Sequence, residues 1–292
     1  MTLLNRRPDR VRSNLSRHRS KPMVPSFPEL DPWFNGGVKT HSPLVLTFLL
    51  TAIAASTALR GADPDPALLA AEKARGILTG GSGVEWTVNV KSEGADGNRE
   101  AKFHTISQDG RIFAEVLEPT EAEGRRYIAE ADGKMWFWKP GLSRPVSVSK
   151  RQRLSGDAAI GDLASTSYVD GYSVESSEDG DVNGEPATVF TMKANSLGDT
   201  YKQIKYWVTK QGHLGKKAEF FAASGTLLRT ATFSYDNSAG GAPFLSRMVV
   251  TESGRTVTLS FSEVELGQFP AELFDREKMG GNVPRAKTKV NR

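Results

Sequence analysis

His104 and His213 are the residues beyond the front end of this chain best suited to metal ligation or proton transfer, and neither sits in a ligand spacing such as H-x-x-x-H. Glu118 beside Pro119, with Glu121 and Glu123, could pose as acid–base carboxylates. Nothing flanks them to move a pKa, so solvated loop residues are the simpler reading. Asp157, Asp162 and Asp170 are too sparse for a calcium loop, which needs denser oxygen ligands. There is no G-x-S-x-G elbow, phosphate loop or dinucleotide fingerprint. The absence of cysteine removes disulfides, thiolate metal sites, cysteine nucleophiles and a lipid-modified cysteine. With no recognisable nucleophile–base pair, the chain does not read as an enzyme, a secreted hydrolase being the weakest reading, and no cofactor is implied.

The remaining signal is apolar. Met135, Trp136, Phe137 and Trp138 stand between an Asp132-Gly133 turn and Pro140, and a basic segment with Arg144, Lys150, Arg151 and Arg153 follows. Successive strand side chains point to opposite faces, so Trp136 and Trp138 share one face and Met135 and Phe137 the other. A strand of a one-sided sheet would alternate apolar with polar. This one needs apolar cover on both sides. Trp86, Phe113, Phe190 and Trp207 extend the aromatic set along the chain. As a core inventory the set is ordinary, and packing accounts for any single member. Collectively it also suits an open barrel that holds an apolar ligand under a helical cover.

The elements that position these residues are mostly strands. Val84, Trp86, Val88 and Val90 alternate with Glu85, Thr87, Asn89 and Lys91, the pattern of a half-buried strand. Twelve further strand segments follow as far as 256–265. Asp96-Gly97, Asp109-Gly110, Asp132-Gly133, Asp179-Gly180 and Asn183-Gly184 are hairpin dipeptides between them. Close strands with tight turns predict an antiparallel meander. Val257, Leu259 and Phe261 alternate while Val264 and Leu266 fall out of phase, which predicts a bulge near Glu263. Three helical segments interrupt the strands. One spans 66–75, with Asp65 as cap, Pro66 at the first position and Gly76 as stop. The others are expected around 157–165 and over 270–279. No internal linker appears, so 63–279 reads as one domain and 280–292 as a polar tail.

The front end reads as a leader. Leu44 to Ala55 is a run of twelve residues without charge, within the ~7–15 of a signal-peptide h-region and short of the ~20 of a membrane span. Small-x-small patterns predict cleavage after Ala54 or Ala58, so 38–58 is the expected secretory signal peptide; an uncleaved anchor is the competing reading. Residues 1–37 are Arg- and Pro-rich without periodicity, and read as a disordered extension or a mis-assigned start, with translation expected from Val38. The whole chain has 38 Lys/Arg and 34 Asp/Glu, of which nine and three fall in residues 1–62, so the remainder has 29 and 31. The basic balance belongs to the leader, and a nucleic-acid partner is not expected.

Several motifs occur in an order that resembles the outer-membrane lipoprotein-sorting protein family of periplasmic carriers. They are Phe113 to Pro119 followed by Gly124; Asp132 to Pro140; Arg151 to Leu163 with Gly156 and Gly161-Asp162; Tyr206-Trp207-Val208; and Ala218 to Phe221 leading to Ser224-Gly225. The resemblance covers roughly residues 68–279. It implies a mainly β (α+β) fold, a curved antiparallel sheet forming a half-open β-barrel covered by short helices, with an apolar cavity for acyl chains. It implies binding and transfer in the periplasm by a monomer that holds acyl chains of lipoproteins or lipids, exchanging with an inner-membrane transporter and an outer-membrane acceptor. The expected lipid contacts are Trp86, Phe113, Trp136, Trp138, Phe190 and Trp207. The segment around Gly156–Leu163 is the expected mobile cover. The alternative is an accessory docking or scaffold partner of a membrane lipid transporter.

Overall fold

In the computed structural model the chain divides into Met1–Arg60 and Gly61–Arg292. The structure describes residues 64–77, 81–95, 97–148, 166–196, 199 and 201–281, all in the second unit. The leader, the segment expected to be helical around 157–165 and the mobile cover lie outside the described residues.

Helix α1 (Pro66–Ala74) starts as the sequence dictates. The Asp65 carboxylate accepts the Ala67 N–H at 2.8 Å, Pro66 needs no partner for an absent N–H, and Gly76 at φ 83° ends the helix. Six strands follow: β1 (Gly83–Gly94), β2 (Arg99–Gln108), β3 (Arg111–Glu118), β4 (Arg126–Ala129), β5 (Met135–Trp138) and β6 (Val146–Ser147). A second series holds β7 (Tyr172–Val182), β8 (Glu185–Ala194), β9 (Gln203–Thr209), β10 (Gly215–Phe221) and β11 (Leu227–Ser234). The last are β12 (Asn237–Ala239), β13 (Ala242–Phe244), β14 (Arg247–Glu252) and β15 (Arg255–Gly267).

Thirteen strands form one antiparallel sheet in the order β6-β5-β4-β3-β2-β1-β15-β14-β11-β10-β9-β8-β7, and the sheet is not closed into a barrel. β12 and β13 pair separately as a small hairpin that the sequence reading missed. Two meanders therefore meet along the seam β1–β15, and the edges are the two-residue β6 and the long β7. The seam carries the expected bulge. Glu85 pairs with Glu265 and Thr87 with Ser262, and Glu263 takes φ 53°. The Thr87 hydroxyl donates to the Glu263 carboxylate at 2.7 Å, which holds the extra residue in place.

Two expectations need correction. Asp179-Gly180 is not a turn, because both residues continue β7, Gly180 opposite Ala187. A Cβ on Gly180 would lie 2.6 Å from Val189 Cγ2, so glycine here serves a close cross-strand approach. The turn sits at Asn183-Gly184, whose φ values of 55° and 83° suit a two-residue hairpin loop. Likewise, 270–279 is not one α-helix. Two 3-10 turns, Ala271–Phe274 and Arg276–Lys278, are separated by an extended Asp275 whose carboxylate accepts the Glu277 N–H. This break lets Leu273, Phe274 and Met279 all be buried on the same cluster.

Register shows which residues share a face. Val88 pairs with Phe103 and Phe261, and Phe103 with Val116. Phe233 pairs with Met248, and Met248 with Leu259. These define an inner face that α1 covers in part, packing Leu68 and Ala71 into the main apolar cluster. The outer face holds a second cluster, Ile106, Phe113 and Ile128 under Leu273, Phe274 and Met279. It also bears a polar ladder. Glu85 meets His104 at 3.0 Å, and Glu115 meets Arg126 at 3.0 Å. Arg126 also donates to the carbonyls of Met279 and Gly281, tying down the C-terminal turns. Glu85 and Thr87 are accordingly buried, so β1 is covered on both faces near its start and not half-buried as its alternation predicts.

Candidate functional site

The inner face is filled over one half of the sheet and hollow over the other. Across β8 to β11, Tyr206 pairs with Phe190 and with Ala218, and Ala218 with Ala231. The rings of Tyr168, Tyr201 and Phe220 lie over this half, Tyr201 4.7 Å and Tyr168 5.9 Å from Phe220. Across β1 to β5 there is a cavity of about 520 Å³, within the ~300–1,000 Å³ usual for ligand pockets.

The hairpin turns build its wall. The Asp109-Gly110 turn, at φ 52° and 71°, sets Ala114 opposite Thr105 and Val116 opposite Phe103. Ala129 stands opposite Ile112 and Met135. Val88, Val90 and Ala101 continue the wall on the other side. Most of these side chains are small. Volume follows from that choice of size.

The two ends differ. One end opens between the β1–β2 hairpin and the β3–β4 turn, where Arg99, Glu100 and Glu121 are exposed. From Ser92 near this rim back to Trp86, six residues of β1 span about 20 Å. The other end is closed by Trp86, whose ring lies 5.5 Å from Phe244, and by Arg75 just after α1. Arg75 is 4% exposed and Glu72 is fully buried. Arg75 Nε lies 3.4 Å from Glu72 Oε1, and Nη2 donates to the Thr166 carbonyl at 2.9 Å. The guanidinium carbon sits 3.9 Å over the Tyr168 ring, and Glu72 Oε2 accepts the Tyr168 N–H at 2.9 Å. Burial pushes the Glu72 carboxyl above the usual carboxylate range, with Arg75 and the Tyr168 N–H pulling it back. Burial opposes the charge on Arg75, but Glu72 and the surrounding tyrosines outweigh it and hold the guanidinium above its ordinary value. Nothing in the spacing of 66–75 marked Glu72 and Arg75 as site residues. Their one local signal was position, at the C-terminal turn of a helix that had to lie on a sheet.

Of the six aromatic residues expected at lipid, Trp86 stands on the cavity wall. Phe113 is buried in the outer-face cluster, with Trp136 and Trp138 packed against it. Arg276 lies 4.4 Å over the Trp136 ring, and Trp138 Nε1 donates to the Leu142 carbonyl. Phe190 is in the filled half of the inner face. Trp207 is half-buried on the outer face, with Lys217 Nζ 4.4 Å from its ring. The β5 strand is covered on its outer face and borders the cavity on its inner one. Met135 faces the cavity, while Trp136 and Trp138 meet the C-terminal turns. Among the described residues no group of three or more His, Cys, Asp or Glu is placed to hold a metal ion. No described helix is long and apolar enough to cross a membrane.

This hollow, half-rolled sheet has the fold of the LolA superfamily. A LolA superfamily protein from Nitrosomonas europaea superposes with a TM-score of 0.61 at 24% identity, over 71% of this chain and 96% of its own. An outer membrane lipoprotein-sorting protein domain from Vibrio parahaemolyticus does so at 0.61 and 18%, over 73% of this chain and 97% of its own. A DUF1329 family protein from Desulfovibrio piger gives 0.60 and 16%, over 73% and 97%. No curated protein matches the sequence. The family model described as "Uncharacterized protein" matches residues 108–280, more than half of the chain, and the chain belongs to that family.

Proposed function

We propose that this protein is an exported periplasmic carrier that holds acyl chains of lipids or lipoproteins in the inner-face cavity. The observation that carries the reading is the cavity itself, about 520 Å³ with an apolar wall and one exposed rim. Its length of about 20 Å along β1 accommodates the reach of one bilayer leaflet, about 15 Å. Each methylene taken from water contributes about 0.8 kcal/mol, so ten of them supply about 8 kcal/mol. That energy accounts for capture and for the need of a donor and an acceptor at either end of the journey. The relation to LolA-type proteins and the leader-like run Leu44–Ala55 support a place in the periplasm. A carrier of this kind makes and breaks no covalent bond, which suits a sequence without a nucleophile–base pair. Trp86 is the one expected aromatic contact retained at the lipid, and the small wall residues join it.

The test is mass spectrometry of organic extracts from protein purified from its own cell envelope. Acyl lipid in stoichiometric amount is expected. Protein that consistently yields no lipid would overturn the reading.

A further inference from the structure

We infer that the closed end of the cavity reads a carboxylate, so that the preferred ligand is a single-chain fatty acid bound head inward at Arg75 and Trp86. This rests on the acyl-cavity reading and adds to it the class of ligand and its direction.

Two residues that line the cavity, Arg75 and Trp86, each carry a buried donor, Nη1 and Nε1, with no acceptor among the described residues. The other nitrogens of Arg75 are engaged, Nε with Glu72 and Nη2 with the Thr166 carbonyl. Guanidinium and indole N–H groups only donate, so what completes them must be an acceptor. Leaving them unmade in a dry site is unfavourable. A ligand that entered tail first would place methyl and methylene groups against both and satisfy neither. A carboxylate offers two oxygens and matches the planar guanidinium. Charge points the same way. Among the described residues the carboxylate paired with Arg75 is Glu72, which is also engaged by the Tyr168 N–H. A guanidinium so placed gains from a second anion. The rim shows no such preference, since Arg99 and Arg125 there stand among Glu100 and Glu121.

The experiment compares hexadecanoate, its methyl ester and hexadecanol binding to the delipidated full chain by calorimetry. Hexadecanoate is expected to bind about thirtyfold more tightly than the ester, the factor of one charge-assisted hydrogen bond. Trp86→Phe, which keeps a ring and loses the N–H, and Arg75→Lys, which alters the donor geometry, should each reduce that preference. Equal affinity for the three ligands would overturn the carboxylate site and leave the acyl cavity standing. Binding of none of them would remove both. The ligand comparison needs no substitution, so misfolding of an Arg75 variant would leave the test intact.

Discussion

The inner face of this sheet shows two ways to treat the same surface. Over β8 to β11 the protein packs the rings of Tyr168, Tyr201, Tyr206 and Phe220, all essentially inaccessible to solvent. Over β1 to β5 it sets out Val88, Val90, Ala101, Ala114 and Ala129, and leaves a hollow of about 520 Å³. Both halves are apolar and both are antiparallel, so neither hydropathy nor topology separates them. Among the described residues, the packing above the sheet does. One half is a close-packed core; the other leaves volume unfilled and forgoes the stabilisation that packing would supply.

The largest effect should come from making the filled half resemble the hollow one. Phe220→Ala removes a ring that touches Tyr168 and Tyr201, and should cost about 3–5 kcal/mol in urea unfolding. A variant as stable as the parent would mean that the filled half is as loosely built as its counterpart. The converse change should move binding and spare stability. Ala114→Phe puts a ring into the cavity from β3; excluding three methylenes should weaken an acyl probe about fiftyfold. Its stability should stay within about 1 kcal/mol of the parent, because open volume absorbs the ring without strain. If unfolding suffers as much as binding, the hollow is part of the core.

The smallest effect lies at the boundary between the halves, at Glu72. Its carboxyl is raised above the ordinary value of 4.5 in the folded protein. The folded state therefore keeps a proton over a range in which the unfolded chain has released it, and stability falls as pH rises through that range. Glu72→Gln retains an acceptor for the Tyr168 N–H and carries no titrating proton. Its urea midpoint should fall less than the parent's as pH rises above the ordinary carboxyl value of 4.5. Parallel pH profiles would show that Glu72 is ionised in both states.

Much of this architecture is legible from local chemistry. Asp109-Gly110 and Asn183-Gly184 turn because those residue types accept left-handed φ, and the bulge at Glu263 shows as a break in alternation. What alternation yields is parity. It states that Trp136 and Trp138 share a face, yet which face meets the cavity depends on cover supplied by residues 271–279, far along the chain. Asp179-Gly180 misled because a cross-strand neighbour, Val189, and not a turn required the glycine. Arg75 was invisible for the same reason: its partner Thr166 lies 91 residues away. The site's wall was hidden more deeply. Alanines carry no chemical signal, and a cavity is defined by atoms that are missing.

A sheet that stays open has two rims that could add a further strand. One rim is the stub Val146–Ser147, too short to template much. The other, Tyr172–Val182, is long and exposed, but it carries Glu175, Glu178, Asp179 and Asp181. A second copy docking edge to edge would bring two rows of negative charge together within strand spacing. The open border is thus guarded against runaway self-assembly by electrostatic repulsion along its longest edge.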